Sequence, residues 1–118
     1  MQIQLNTDDH VQGDEALAAW VESELKDRLA RFRDQITRIE VHLSDHSSAR
    51  KGDKDKGCTL EARVVGRPPL AVSHEAGKVA DAFLGAVDKL GRALDTALGR
   101  ARDTHGRESI RGEGPGSE

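Results

Sequence analysis

The sequence predicts a single α+β domain in the order β-α-β-β-β-α, a four-stranded, mostly antiparallel sheet with two helices packed on one face. Three observations predict it. Four short segments alternate apolar and polar residues with the period of two expected of strands covered on one side. Two longer segments repeat apolar residues every three or four positions, as amphipathic helices do. The 118 residues are 36% hydrophobic, with two Phe, one Trp and no Tyr, which leaves room for one thin core of Leu, Val, Ile and Ala.

The elements follow in order. "MQIQLN" alternates Ile3 and Leu5 with Gln2, Gln4 and Asn6, a short first strand. Asp14 is an N-cap with Glu15 in the first turn, and Leu17, Val21, Leu25, Leu29 and Phe32 form the stripe of a helix over about 14–33. Trp20 lies at the border of that stripe, where its ring packs while its N–H still reaches a partner. In "ITRIEVHLSDH", Ile39, Val41 and Leu43 face inward from a second strand. "SSARKGDKDKG" has no apolar anchor and is expected to be the mobile loop of a long hairpin. Cys58, Leu60, Ala62 and Val64 then point inward from a third strand. Pro68 and Pro69 precede a fourth strand with Leu70 and Val72 inward, a place where a missing N–H is tolerated. The last helix, about 76–103, carries Val79, Phe83, Val87, Leu90, Leu94 and Leu98. The domain is expected to span 1–103, and "THGRESIRGEGPGSE", residues 104–118, to be a disordered tail.

Composition narrows the function. A net charge of −3 argues against indiscriminate coating of nucleic acid, although a local basic face still binds phosphate. The single Cys58 excludes an internal disulfide, and "MQIQLNTDDH" lacks the basic and apolar regions of a signal peptide, so the expectation is cytoplasmic. No window approaches the roughly 18 apolar residues of a membrane span.

The basic residues of the last helix carry the main functional signal. At about 100° per residue, Lys78, Lys89, Arg92 and Arg100 fall within roughly 40° of one direction, opposite the apolar stripe. Asp81, Asp88 and Asp95 lie together on a flank of this ridge. On the first helix, Glu22 and Lys26, Glu24 and Arg28, and Asp27 and Arg31 have the i, i+4 spacing of local ion pairs. A row of fixed cations on a rigid helix matches a row of phosphates, and a solvated charged face is the alternative from charge alone.

Catalytic constellations are missing. His42 and His46 share a strand face but lie about 13 Å apart, too far for one metal. Cys58 reads as a buried hydrophobe, and His74 completes no ligand set with it. There is no glycine-rich phosphate loop, no nucleophile elbow and no zinc-type cysteine spacing. Glu40, Glu61 and Arg63 are expected to be cross-strand surface pairs. The sequence therefore predicts no enzyme, no cofactor, no metal and no small-molecule substrate.

"MQIQLNTDDHV", "EALAAWVESELKDRLARFRDQITRIEVHLS" and "DAFLGAVDKLGRAL" resemble the ribosome hibernation-promoting factors, also called ribosome-associated translation inhibitors or sigma-54 modulation proteins. The resemblance covers about residues 1–103. It implies a fold similar to double-stranded RNA-binding domains, and a factor that binds the small ribosomal subunit near the decoding centre and inhibits translation in stationary phase or stress. It also implies ribosomal RNA contacts through the basic helix faces, here Lys89 and Arg92, then Lys78 and Arg100. The short tail resembles the family's short form, for which ribosome dimers need a separate dimerising factor. "VADAFL" lacks the family's Tyr, and "DTALGRARD" stands where members carry a lysine cluster. The alternative is a divergent protein-interaction module of the same fold that binds a regulatory protein.

Overall fold

The computed structural model describes residues 1–8, 11, 13–45 and 55–99. In chain order these form β1 (Gln2–Thr7), α1 (Glu15–Arg28), a 3-10 turn (Ala30–Phe32), β2 (Ile36–Asp45), β3 (Lys56–Val64), β4 (Leu70–Ala76), α2 (Val79–Leu94) and a π-type turn (Asp95–Gly99). The sheet order is β1-β2-β3-β4, with β1 parallel to β2 and the other neighbours antiparallel. The expected element order and mostly antiparallel sheet are both present. The one parallel pair is possible because α1 supplies the long crossover such a pair needs.

Alternation along the strands becomes rows across the sheet. Ile3, Ile39, Ala62 and Leu70 form one row, and Leu5, Val41, Leu60 and Val72 the next. These rows, the stripes of both helices and Val11 make a single apolar core. The intervening rows, such as Asn6, His42, Thr59 and Ser73, lie on the other face, which no described element covers. A register shift between Ile36 and Arg38 lets Ile36 and Ile39 both point inward although they are three residues apart. The bulged Thr37 donates its hydroxyl to the Arg63 carbonyl at 3.1 Å. Strict alternation had started the buried set at Ile39 and so missed Ile36.

α1 begins as expected, with the Asp14 carboxylate accepting from the Leu17 N–H at 2.9 Å. It ends at Arg28, short of the expected residue 33, because the chain tightens into the 3-10 turn. A three-residue period carries the apolar stripe from Leu29 to Phe32, so both remain buried. α2 starts at Val79 rather than 76 and leaves α geometry after Leu94. Its Phe83, Val87, Leu90 and Leu94 are buried as expected, and the small Ala82 and Ala86 are buried with them. Phe83 meets the Trp20 ring at 5.2 Å between centroids. In the β3–β4 turn, Gly66 takes a φ of 72°, which few residues other than glycine adopt. Of the predicted loop at 47–57, residues 47–54 lie outside the described residues, as does the predicted tail at 104–118, while Lys56 and Gly57 already belong to β3. No described helix is long and apolar enough to cross a membrane.

Two glycines of α2 face opposite situations. A Cβ on Gly85 would come within 2.1 Å of the His74 ring, which packs flat on the helix there. A Cβ on Gly91 would meet only Leu29 Cδ2, at an ordinary 3.9 Å. Gly91→Ala should therefore stabilise the protein by about 0.5–1 kcal/mol through helix propensity. Gly85→Ala should destabilise it by about 1–3 kcal/mol, because the imidazole must move in a packed site. Urea unfolding followed by Trp20 fluorescence measures both, and equal effects at the two positions would contradict this packing. Burial pushes the Cys58 thiol from its ordinary 9.0 up to about 12. Its unfolded form loses the proton first, so stability should be undiminished below about pH 9 and fall as pH rises toward 12. Cys58→Ala should remove that part of the alkaline loss in the same unfolding assay.

Candidate nucleic-acid interface

Four cations were expected on one ridge of the last helix, and three fall within the described residues. Lys78 precedes α2 with extended backbone, φ −134° and ψ 148°, and its carbonyl accepts from the Ala82 N–H at 2.9 Å. It is exposed at the start of the helix, outside its regular angular sequence. Lys89 reaches sideways over the sheet edge and donates from Nζ to the Ser73 carbonyl of β4 at 2.9 Å. Arg92 stands in the last turn of α2, with Nη2 2.9 Å from the Asp88 carboxylate and its side chain 77% exposed. Arg100 lies outside the described residues. Lys89 and Arg92 are thus both surface residues, but they border different surfaces: Lys89 the edge of β4, Arg92 a groove between the helices.

That groove is built where α1 stops. Leu29, Val87 and Gly91 form its floor, with Arg28 and Arg31 on one rim and Asp88, Arg92 and Asp95 on the other. The absent side chain of Gly91 keeps the floor open beside Leu29. Arg28 pairs with Glu24 at 2.7 Å, as its i, i+4 spacing predicted. The expected Asp27–Arg31 pair does not form, because the 3-10 turn rotates Arg31 out of α-helical phase. Arg31 instead bridges the groove to Asp95 at 2.9 Å, with its guanidinium 4.4 Å from the Phe32 ring centre. Glu22 and Lys26 also stay apart. Sequence spacing pointed to Arg92 but missed Arg28 and Arg31 as parts of the same groove, since their approach is a tertiary contact with no local signature.

The open sheet face is charged but self-compensated. Glu40, Glu61 and Arg63 do lie in cross-strand positions of this face, but Arg38 lies opposite Arg63 and Glu40 opposite Glu61, so the direct neighbours have like charge. Compensation runs along the strand instead: the Glu40 carboxylate lies 3.4 Å from Arg38 Nη2 and 3.5 Å from His42 Nε2. Arg38 also donates to the Gln4 side chain. Lys56, expected in the hairpin loop, belongs to β3 and lies 3.0 Å from Asp55 and 3.3 Å from Asp45. The hydrogen bond to Asp55, with Asp45 behind it, raises its pKa against the effect of burial. His46 lies outside the described residues, and no cluster that could hold a metal occurs among those that are described.

A family model described as "Sigma 54 modulation protein / S30EA ribosomal protein" matches residues 5–102. No curated protein matches the chain. Among solved structures, the Thermus thermophilus Protein Y N-terminal domain is 24% identical with a TM-score of 0.66, over 82% of this chain and 99% of that one. A ribosomal subunit interface protein from Coxiella burnetii is 20% identical with a TM-score of 0.64, over 84% of this chain and 99% of that one. At these identities the likeness is one of fold.

The Arg31–Asp95 bridge is the described ion pair that closes the groove, and both side chains are more than half exposed. A double-mutant cycle with Arg31→Met and Asp95→Asn should give a coupling of about 0.2–1 kcal/mol that shrinks with added salt. A coupling of zero at low salt would mean the groove is open in solution.

Proposed function

This chain belongs to the Sigma 54 modulation protein / S30EA ribosomal protein family, and from that premise we propose that it binds the small ribosomal subunit near the decoding centre and inhibits translation there. The family match carries the reading, because residues 5–102 take in the second half of β1 and everything from there through the π-type turn. On this reading the protein is a non-enzymatic, cytoplasmic factor of stationary phase or stress. It acts as a steric wedge in the path of tRNA and mRNA, with a separate ribosome-dimerising factor as a further proposed partner.

Lys89 and Arg92 are the proposed main contacts to ribosomal RNA, with Lys78 and Arg100 beside them. Two features support the choice. Both Lys89 and Arg92 are exposed and outside the apolar core, so they are available without unfolding any element. Each is held by an oxygen acceptor, the Ser73 carbonyl or the Asp88 carboxylate, and a phosphate oxygen accepts from the same donors. The rigid helix fixes their spacing, so the shape of the partner, more than its base sequence, would decide the fit.

Co-sedimentation with vacant small subunits and whole ribosomes across a salt series tests the reading. The wild-type chain should bind saturably, with affinity falling steeply as salt rises. Replacing Lys89 and Arg92 together with Glu should leave thermal unfolding nearly unchanged and abolish co-sedimentation. Undiminished sedimentation of that double variant would overturn the assigned contacts. Binding that resists ribonuclease and barely responds to salt would point instead to a protein partner.

A further inference from the structure

Every described arginine on the rim of the inter-helix groove already holds a carboxylate: Arg28 has Glu24, Arg31 has Asp95 and Arg92 has Asp88. These three guanidiniums and three carboxylates sum to zero charge. Two of the acids, Asp88 and Asp95, lie on the groove itself. They are seven residues apart, about two helical turns, so both project from the same flank of α2 and its continuation. We infer that Asp88 and Asp95 are specificity-determining residues, which occupy Arg92 and Arg31 and so keep the groove from binding arbitrary phosphate chains.

The physical chemistry is competitive. A carboxylate at 2.9 Å takes a guanidinium donor that a phosphate would otherwise use. A phosphate approaching either arginine must displace that carboxylate or accept its repulsion at close range. Both pairs are largely exposed, and exposed pairs are weak, so the acids are displaceable. An RNA surface that meets both arginines while also contacting the rest of the protein can drive that exchange. A duplex that touches the groove alone meets a neutral surface. This inference rests on the ribosomal RNA reading for its biological meaning, but its physical content concerns phosphate binding by the groove and is testable separately.

The experiment measures binding of the full chain to a double-stranded RNA of unrelated sequence, by fluorescence anisotropy at several salt concentrations. Asp88→Asn/Asp95→Asn keeps side-chain size and removes two negative charges. It should bind this RNA at least about tenfold more tightly than wild type at low salt, with a log–log salt slope steeper by about 1 to 2, as two added phosphate contacts require. Glu22→Gln/Asp27→Asn makes the same change in net charge on exposed residues of α1 away from the groove, and should bind nearly as wild type does. No gain in the groove variant, or an equal gain in the control, would overturn the inference. Asp88→Asn alone, which leaves the Arg31–Asp95 bridge intact, should give a smaller gain in the same direction; no gain from it in a folded protein would equally count against the role of Asp88. Ribosome co-sedimentation of the wild type decides the functional reading independently: if it fails while the groove variant gains affinity for duplex RNA, the ribosomal role falls and the gating by Asp88 and Asp95 stands.

Discussion

The close approach of α2 to the sheet is the constraint on which the surface of this protein depends. It is possible because Ala82, Gly85 and Ala86 present little bulk, so the His74 ring of β4 can lie directly against the helix. One turn beyond Gly85, Lys89 faces Ser73, the neighbour of His74 in the strand, and its ammonium reaches the Ser73 carbonyl. The height of the helix above β4, set by a glycine, thus determines what a lysine on the next turn can touch. A bulkier residue at position 85 would lift the whole pairing. The same contact covers a carbonyl on an edge strand, where unpaired backbone groups invite association with other chains.

A second consequence follows on the opposite side of α2. Gly91 leaves space beside Leu29, and α1 ends just before that leucine, so the helices leave a groove where they could have closed on each other. The 3-10 turn after α1 keeps Leu29 and Phe32 in the core while turning Arg31 outward toward Asp95. An α-helix continued to residue 33 would have aimed Arg31 at Asp27 and left Asp95 unpaired. Ending the helix early therefore converts a local ion pair into one that joins the two helices.

Much of this was legible in the sequence, and the exceptions have physical reasons. The stripes of Val21, Leu25 and Leu29, and of Phe83, Val87 and Leu90, could be read because large apolar residues repeat at the helical period and have no other place to go. Asp14 could be read as a cap because a short carboxylate before an apolar run has one obvious use. Ala82 and Ala86 could not, since alanine is at home on either face of a helix. Nor could the end of α1: no Gly or Pro follows Arg28, and a Leu29–Phe32 spacing fits an α-helix and a 3-10 turn equally well. Ile36 was hidden by the bulge at Thr37, which breaks the period of two that strand reading relies on. The groove was illegible for a different reason. Arg31 and Asp95 are 64 residues apart, and no local pattern announces a contact at that separation.

The position of the acids shows why net charge is a poor guide to what this surface can do. At −3 overall, the chain has no global attraction for a polyanion. Its helices nevertheless display cations in fixed places, and each described arginine of the groove is matched by an acid at hydrogen-bonding distance. Such a surface is neutral at long range and selective at short range. Long-range neutrality removes the steering that draws basic proteins onto any nucleic acid. Short-range selectivity comes from geometry, because only a partner that offers acceptors where the carboxylates now stand can replace them without loss. A ribosome-associated factor gains more from the second property than it loses with the first.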